Sequence, residues 1–266
     1  MKKIFFKNII ISIISLLTII LFSCNNSMPG KPGGPIQYPK YILSNFMNFW
    51  TYWSNDVRLS DDIISYDEND SLIAKDFFLK KVMSGKYLPL KLKSNDSSNY
   101  YKLYPIIDVT DSAITENIIR FGELYYQFFK MEGKPLPGFH FADLNGNVYN
   151  RKTCQGKLLV LNFWFIGCTA CQREMPALNK LVASYKSRND VLFVSIAPNN
   201  ANELNAFLEK NPFAYAIIPA KSLYVTDTLN IHMFPTHMII DKKGLISKIP
   251  EDEKQLEIEL QKELLK

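Results

Sequence analysis

Cysteine and histidine are scarce in this chain, with four and three respectively among 266 residues. A disulfide-stapled scaffold needs more cysteines than that, in pairs. An excess of one charge is missing too. There are 31 basic and 26 acidic residues, and Lys2, Lys3 and Lys7 at the extreme N-terminus account for most of the difference. No basic stripe clusters anywhere else, so no nucleic-acid partner is expected. A single long apolar run occurs, over residues 9–22, behind those three lysines.

That run reads as a secretory signal, because a basic start followed by a short apolar core precedes Leu21-Phe22-Ser23-Cys24. The four residues resemble a bacterial lipobox, in which the cysteine, here Cys24, is lipidated and begins the mature protein. An uncleaved membrane anchor is the alternative, and the stretch is short for a spanning helix. Residues 1–23 are therefore expected to be a lipoprotein signal and 24–39 a tether. The latter holds Pro29, Gly30, Pro32, Gly33, Gly34 and Pro35, which forbid regular structure. In an extended polyproline-like state some 15 residues reach roughly 45 Å. The protein is expected on the periplasmic side of a bacterial envelope, held to the membrane by lipid.

With 47% hydrophobic residues the chain has ample material for one or two packed domains. A Pro/Gly-rich stretch at 133–138 divides it. The part before, 40–132, is unusually aromatic and is expected to be a small accessory domain, with helices over 71–83 and 114–131 and a strand over 86–92. Its aromatic side chains read as core and docking face, with substrate recognition as the alternative. The part after, 133–266, alternates strands and helices as a layered α/β domain does. Asn145-Gly146 signals a hairpin between 139–143 and 148–150. Strands are expected at 158–165, 191–197, 215–218, 236–241 and 245–249, the last two as a second hairpin, and helices at 171–187, 201–210 and 251–265.

Cys168-Thr169-Ala170-Cys171 stands between the apolar strand and the first of those helices. The first cysteine of such a pair is delivered to a helix N-terminus, where unpaired backbone N–H groups and the helix dipole favour thiolate over thiol. Thiolate is the reactive form. Two cysteines at this spacing open and close a disulfide with little backbone movement, but the same spacing also makes half of a zinc site. Zinc would need two further ligands from Cys24, Cys154, His140, His232 and His237, none of which forms a second paired motif, so no metal is expected. Cys154 is left over and reads as a small, partly buried hydrophobe.

Gly156-Lys157, Leu161-Asn162-Phe163-Trp164, the CxxC, Glu174-Met175-Pro176, Phe234-Pro235-Thr236 and Ile239-Ile240-Asp241 resemble, in order and spacing, thioredoxin-like proteins of the TlpA/ResA type. The resemblance covers 135–265. It implies a thioredoxin-like fold, a central mixed sheet flanked by helices, preceded by the aromatic-rich N-terminal domain. It also implies a thiol–disulfide oxidoreductase that uses no cofactor beyond the redox-active Cys168–Cys171 disulfide. Cys168 would attack, Cys171 would resolve, and Pro235 would be a cis-proline facing the dithiol. Trp164, Phe234 and Thr236 would contact substrate.

Glu174 falls where ResA-like proteins carry an acid beside the cysteines, while Asn162 replaces the buried aspartate of thioredoxin itself. The resemblance thus assigns proton transfer to Glu174, although acids are also simply favoured in a first helical turn. His237 reads as a satisfied structural histidine. Gly167 departs from the tryptophan common before the first cysteine, and Thr169-Ala170 from a pair ending in proline. Protein disulfides or apocytochrome c cysteines are the implied substrates, with a membrane electron donor. An oxidase or isomerase is the alternative, and less favoured is a copper chaperone with His232 or His237 as a third ligand. A peroxiredoxin would need threonine and proline ahead of Cys168, and 163–167 contains neither. A tethered binding module with a vestigial dithiol is the remaining reading.

Overall fold

The computed structural model describes residues 32–96, 98–107, 109 and 111–266. The expected signal and the lipidation site Cys24 lie outside these residues. In the first part, helices α1 (Pro39–Ile42) and α2 (Phe46–Asp56) lead to strands β1 (Ile63–Tyr66) and β2 (Leu72–Ile73). Helix α3 (Lys75–Met83), strands β3 (Tyr87–Lys91) and β4 (Asn99–Pro105) and the long helix α4 (Ser112–Met131) follow. The four strands pair in the order β2-β1-β4-β3, with β1 and β4 parallel. Phe49, Tyr52, Trp53, Phe78, Leu79, Tyr101 and Leu103 fill the core beside them. Gly122 lets α4 cross α3 closely, since a Cβ there would lie 2.8 Å from the backbone nitrogen of Met83.

Two expectations are corrected here. The helix expected from residue 71 begins at Lys75, because Leu72 and Ile73 pair with Tyr66 and Ser65 instead. Asp67 closes that hairpin by accepting hydrogen bonds from the backbone N–H groups of Asn69 and Ser71. The end of the Pro/Gly-rich segment is likewise not free. Gly33 donates to the carbonyl of Lys93, Ile36 donates to that of Lys91, and Pro35 bridges Leu92 beside β3.

The second part opens with hairpin β5 (His140–Ala142) and β6 (Val148–Asn150). Strand β7 (Leu158–Phe163), helix α5 (Thr169–Ser184), strand β8 (Val191–Ile196), helix α6 (Ala201–Leu208) and strand β9 (Ala216–Ile218) come next. A π-turn over Tyr224–Thr228, strands β10 (Thr236–Ile240) and β11 (Ile246–Lys248) and helix α7 (Glu253–Leu264) complete the chain. The sheet order is β11-β10-β7-β8-β9, with β8 parallel and β10 antiparallel to β7. This is the mixed sheet flanked by helices that the resemblance implies.

All six residues of β7 are buried, as a strand covered on both faces must be. Leu159, Leu161 and Phe163 face one core, and Leu158 and Val160 face the other with α5 and α7. Helix α4 joins the two parts physically. Its Ile114, Ile118, Phe121 and Tyr125 belong to the first core, while Phe128, one turn further, belongs to the second.

Candidate active site

Strand β7 ends at the C-terminal edge of the sheet, and the next five residues carry the chain to α5. That loop is pinned at its middle residue, Ile166. The N–H of Ile166 donates to Asn199 Oδ1 at 3.1 Å, and Gln172 Nε2 donates to the carbonyl of Ile166. Cys168 is the N-cap of α5, and its sulfur accepts the N–H of Cys171 at 3.1 Å. The sulfur thereby takes a position that in most helices an oxygen side chain fills, and any negative charge on it meets a backbone donor and the helix dipole. Cys168 and Cys171 are joined by a disulfide, with their Cα atoms 5.3 Å apart. Both are largely enclosed, Cys168 at 6% exposure and Cys171 at 3%.

Beneath α5, three polar side chains lie abreast across the sheet. His237 on β10 is opposite Asn162 on β7, which is opposite Ser195 on β8. All three are buried, His237 completely. Buried polar groups are costly unless paired, and these are paired. Asn162 Nδ2 lies 3.2 Å from His237 Nδ1, and His237 Nε2 lies 3.1 Å from Glu174 Oε2. Since the amide nitrogen of Asn162 can only donate, Nδ1 accepts, and the ring proton sits on Nε2 aimed at the Glu174 carboxylate. Glu174 comes three residues after Cys171 and so shares its side of α5. It reaches down from the helix to the sheet, with its side chain 16% exposed.

Trp164 requires correction. It was expected to meet substrate, but it is fully buried, donates from Nε1 to Ser195 Oγ at 3.1 Å and packs against Phe207 and Phe213. It is core, because the residue directly after β7 still faces inward, under α5. The Thr236 side chain is also turned inward, its hydroxyl donating to the carbonyl of Met233. Phe234 does stand beside the dithiol loop. Its ring meets that of Phe165 edge-on at 5.4 Å, and the Phe234–Pro235 bond is cis.

Phe165 was not anticipated. A Cβ on Gly167 would lie 3.3 Å from the Phe165 ring, so this ring packs against the residue just before the first cysteine. The sequence signal was available in the pairing of an unusual Gly167 with an aromatic residue two positions earlier. Cys154 is free and buried on the far face of the sheet, and burial pushes its thiol up. Of the possible third metal ligands, His232 pairs with Asn230 and His237 with Glu174 and Asn162. No group of three metal-ligating side chains occurs among the described residues, nor is any helix among them long and apolar enough to cross a membrane.

Residues 133–249 match the AhpC/TSA family. Thiol-disulfide oxidoreductase ResA of Bacillus cereus is 32% identical over 147 residues, which is 52% of this chain and 85% of that protein. Thioredoxin-like protein YneN of Bacillus subtilis is 32% identical over 120 residues, 44% of this chain and 70% of that one. Among solved structures, the thioredoxin domain of a thiol-disulfide oxidoreductase from Bacteroides vulgatus is 23% identical. It covers 49% of this chain and 96% of that chain, with a TM-score of 0.44.

Proposed function

The chain belongs to the ResA-type, thioredoxin-like thiol-disulfide oxidoreductases, and on that premise we propose that it is a lipid-anchored envelope enzyme that reduces protein disulfides through Cys168 and Cys171. The observation that carries the reading is the placement of Cys168 as the cap of α5 with its sulfur on the N–H of Cys171. In the reduced enzyme the Cys168 thiolate attacks a substrate disulfide. One substrate sulfur leaves as a thiolate and a mixed disulfide forms. Cys171, once deprotonated, attacks the Cys168 sulfur, which closes the intramolecular disulfide and frees the second substrate thiol. Two electrons pass to the substrate.

The proton of Cys171 needs an acceptor, and Asn162 offers none where thioredoxin has a carboxylate. Glu174 supplies it, with His237 holding one carboxylate oxygen. A membrane electron donor regenerates the dithiol, and apocytochrome c cysteines or misformed disulfides are the substrates. The anchor is Cys24, on a chain segment short enough to keep Cys168 near the membrane. Phe165, Phe234 and the backbone beside Pro235 form the surface against which a substrate chain lies.

Equilibrating the purified dithiol against glutathione tests the direction of electron flow. Known dithiol enzymes range from about −270 mV for thioredoxin to about −120 mV for strong oxidants. A value toward the thioredoxin end, with the protein recovered reduced from cells, is expected. A value near the oxidant end, with oxidised protein in cells, would leave an oxidase or isomerase.

A further inference from the structure

We propose that Gln127 is a positioning residue for protein substrates: from the helix shared by both cores it fixes the loop that bears Met233, Phe234 and Pro235. The proposal rests on the oxidoreductase reading above and gives the N-terminal region a part in it.

Between the π-turn and β10 the chain has no regular structure, yet it sets the position of the aromatic residue beside the dithiol loop. Inward-facing Leu229 and Ile231 are buried in the second core, at 2% and 0% exposure. Asn230 between them has φ 52°, a left-handed conformation that asparagine tolerates better than most residues. At this turn both neighbouring carbonyls face α4. Gln127 Nε2 donates to the carbonyl of Leu229 at 3.2 Å and to that of Asn230 at 2.7 Å, and Gln127 Oε1 accepts from Asn230 Nδ2 at 2.9 Å. Asn230 Oδ1 then meets His232 Nε2 at 2.9 Å. Thr236 ties the far end by its bond to Met233.

Docking of the two parts does not depend on this contact. Phe128 packs in the second core, and Tyr125, Ser60 and Asp62 bond Glu251 and Lys248. What Gln127 adds is local, because it grips the backbone of one loop at its turn. The product of that grip is a surface in which Met233, 37% exposed, adjoins in sequence the Phe234 ring that meets Phe165. An unbranched thioether beside two aromatic rings suits varied apolar side chains. The partner it fits is an extended polypeptide with apolar residues flanking its disulfide. A small disulfide lacks the flanking chain that would need this surface.

The test uses the full chain with Gln127→Ala and Gln127→Glu. The second keeps the side chain's size but replaces its donor with a carboxylate facing two carbonyls. Two probes are compared: reduction of insulin, giving KM and kcat, and the rate of the reduced enzyme with Ellman's reagent. The expected result in both variants is a rise of about fivefold in KM for insulin, the scale of losing a few solvent-accessible hydrogen bonds. The kcat and the Ellman rate hold, and the amides of residues 229–234 exchange hydrogen faster. An unchanged KM, or insulin and Ellman rates falling together, would overturn the proposal. If the wild-type dithiol reacts with neither probe, the oxidoreductase reading itself fails and takes this inference with it.

Discussion

Cys168 is set apart from Cys171 by one contact, the N–H of Cys171 pointing at its sulfur from within the first turn of α5. Thiols so placed ionise well below the usual value of about 8.5. Iodoacetamide at neutral pH is accordingly expected to modify reduced Cys168 faster than Cys171. Cys154, whose thiol burial pushes up, should stay unmodified in the folded protein. Faster labelling of Cys171 would reverse the assigned roles. Glu174 makes a second residue-scale claim. Glu174→Gln keeps an oxygen to accept the His237 Nε2–H but removes the proton acceptor, so the rate–pH profile of exchange should change while the melting temperature holds. Overlaid profiles would reduce Glu174 to an ordinary helix residue. The placement of the cysteines and Glu174 was legible because it depends on spacing within one helix. The contact of His237 with Glu174 was not, because it depends on the register of β10 against β7, and the burial of Trp164 was missed for the same kind of reason.

Helices and strands of the two parts meet in a polar seam. Glu251, just before α7, accepts hydrogen bonds from Ser60 and from the Tyr125 hydroxyl of α4, and Lys248 on β11 bonds Asp62. Burial raises the Glu251 carboxyl above its ordinary range, and these hydrogen bonds only partly offset it. The folded state therefore holds this proton to higher pH than the unfolded chain does. The associated stability is full below the unfolded value of about 4.3 and is lost as pH rises through the folded value. Glu251→Gln should remove this fall, visible as a smaller drop in the urea midpoint, as pH rises above the unfolded value, than the wild type shows. Glu251→Ala should cost about 2 kcal/mol at low pH, from the partners left unpaired, and less as pH rises, because it removes the same titration. Identical pH profiles for wild type and Glu251→Gln would remove Glu251 from the seam's titration. Elements with a run of strand-forming residues or a helical period, β7, β8, β10 and α4, could be read from the sequence. Strands β1 and β4 could not. The first has four residues, and the second buries adjacent Tyr100 and Tyr101 on opposite faces, which erases the alternation.

Across the whole molecule, motif density follows chemistry. The second part was readable in detail because a dithiol centre requires a strand end, a helix start and a proline at set distances. The first part obeys only packing, which aromatic residues satisfy in many arrangements, so neither its sheet order nor its grip on the substrate loop through Gln127 left a pattern. Helix α4 makes the two parts one unit, with Phe121 and Phe128 in different cores. The claim on which everything else depends is that disulfides are attacked by Cys168 and released by Cys171. Incubating the full-length Cys171→Ser variant with insulin and mapping adducts by mass spectrometry tests it directly. The expected result is a persistent mixed disulfide at Cys168 that Cys168→Ser abolishes. No adduct, or an adduct only at Cys154, would contradict it.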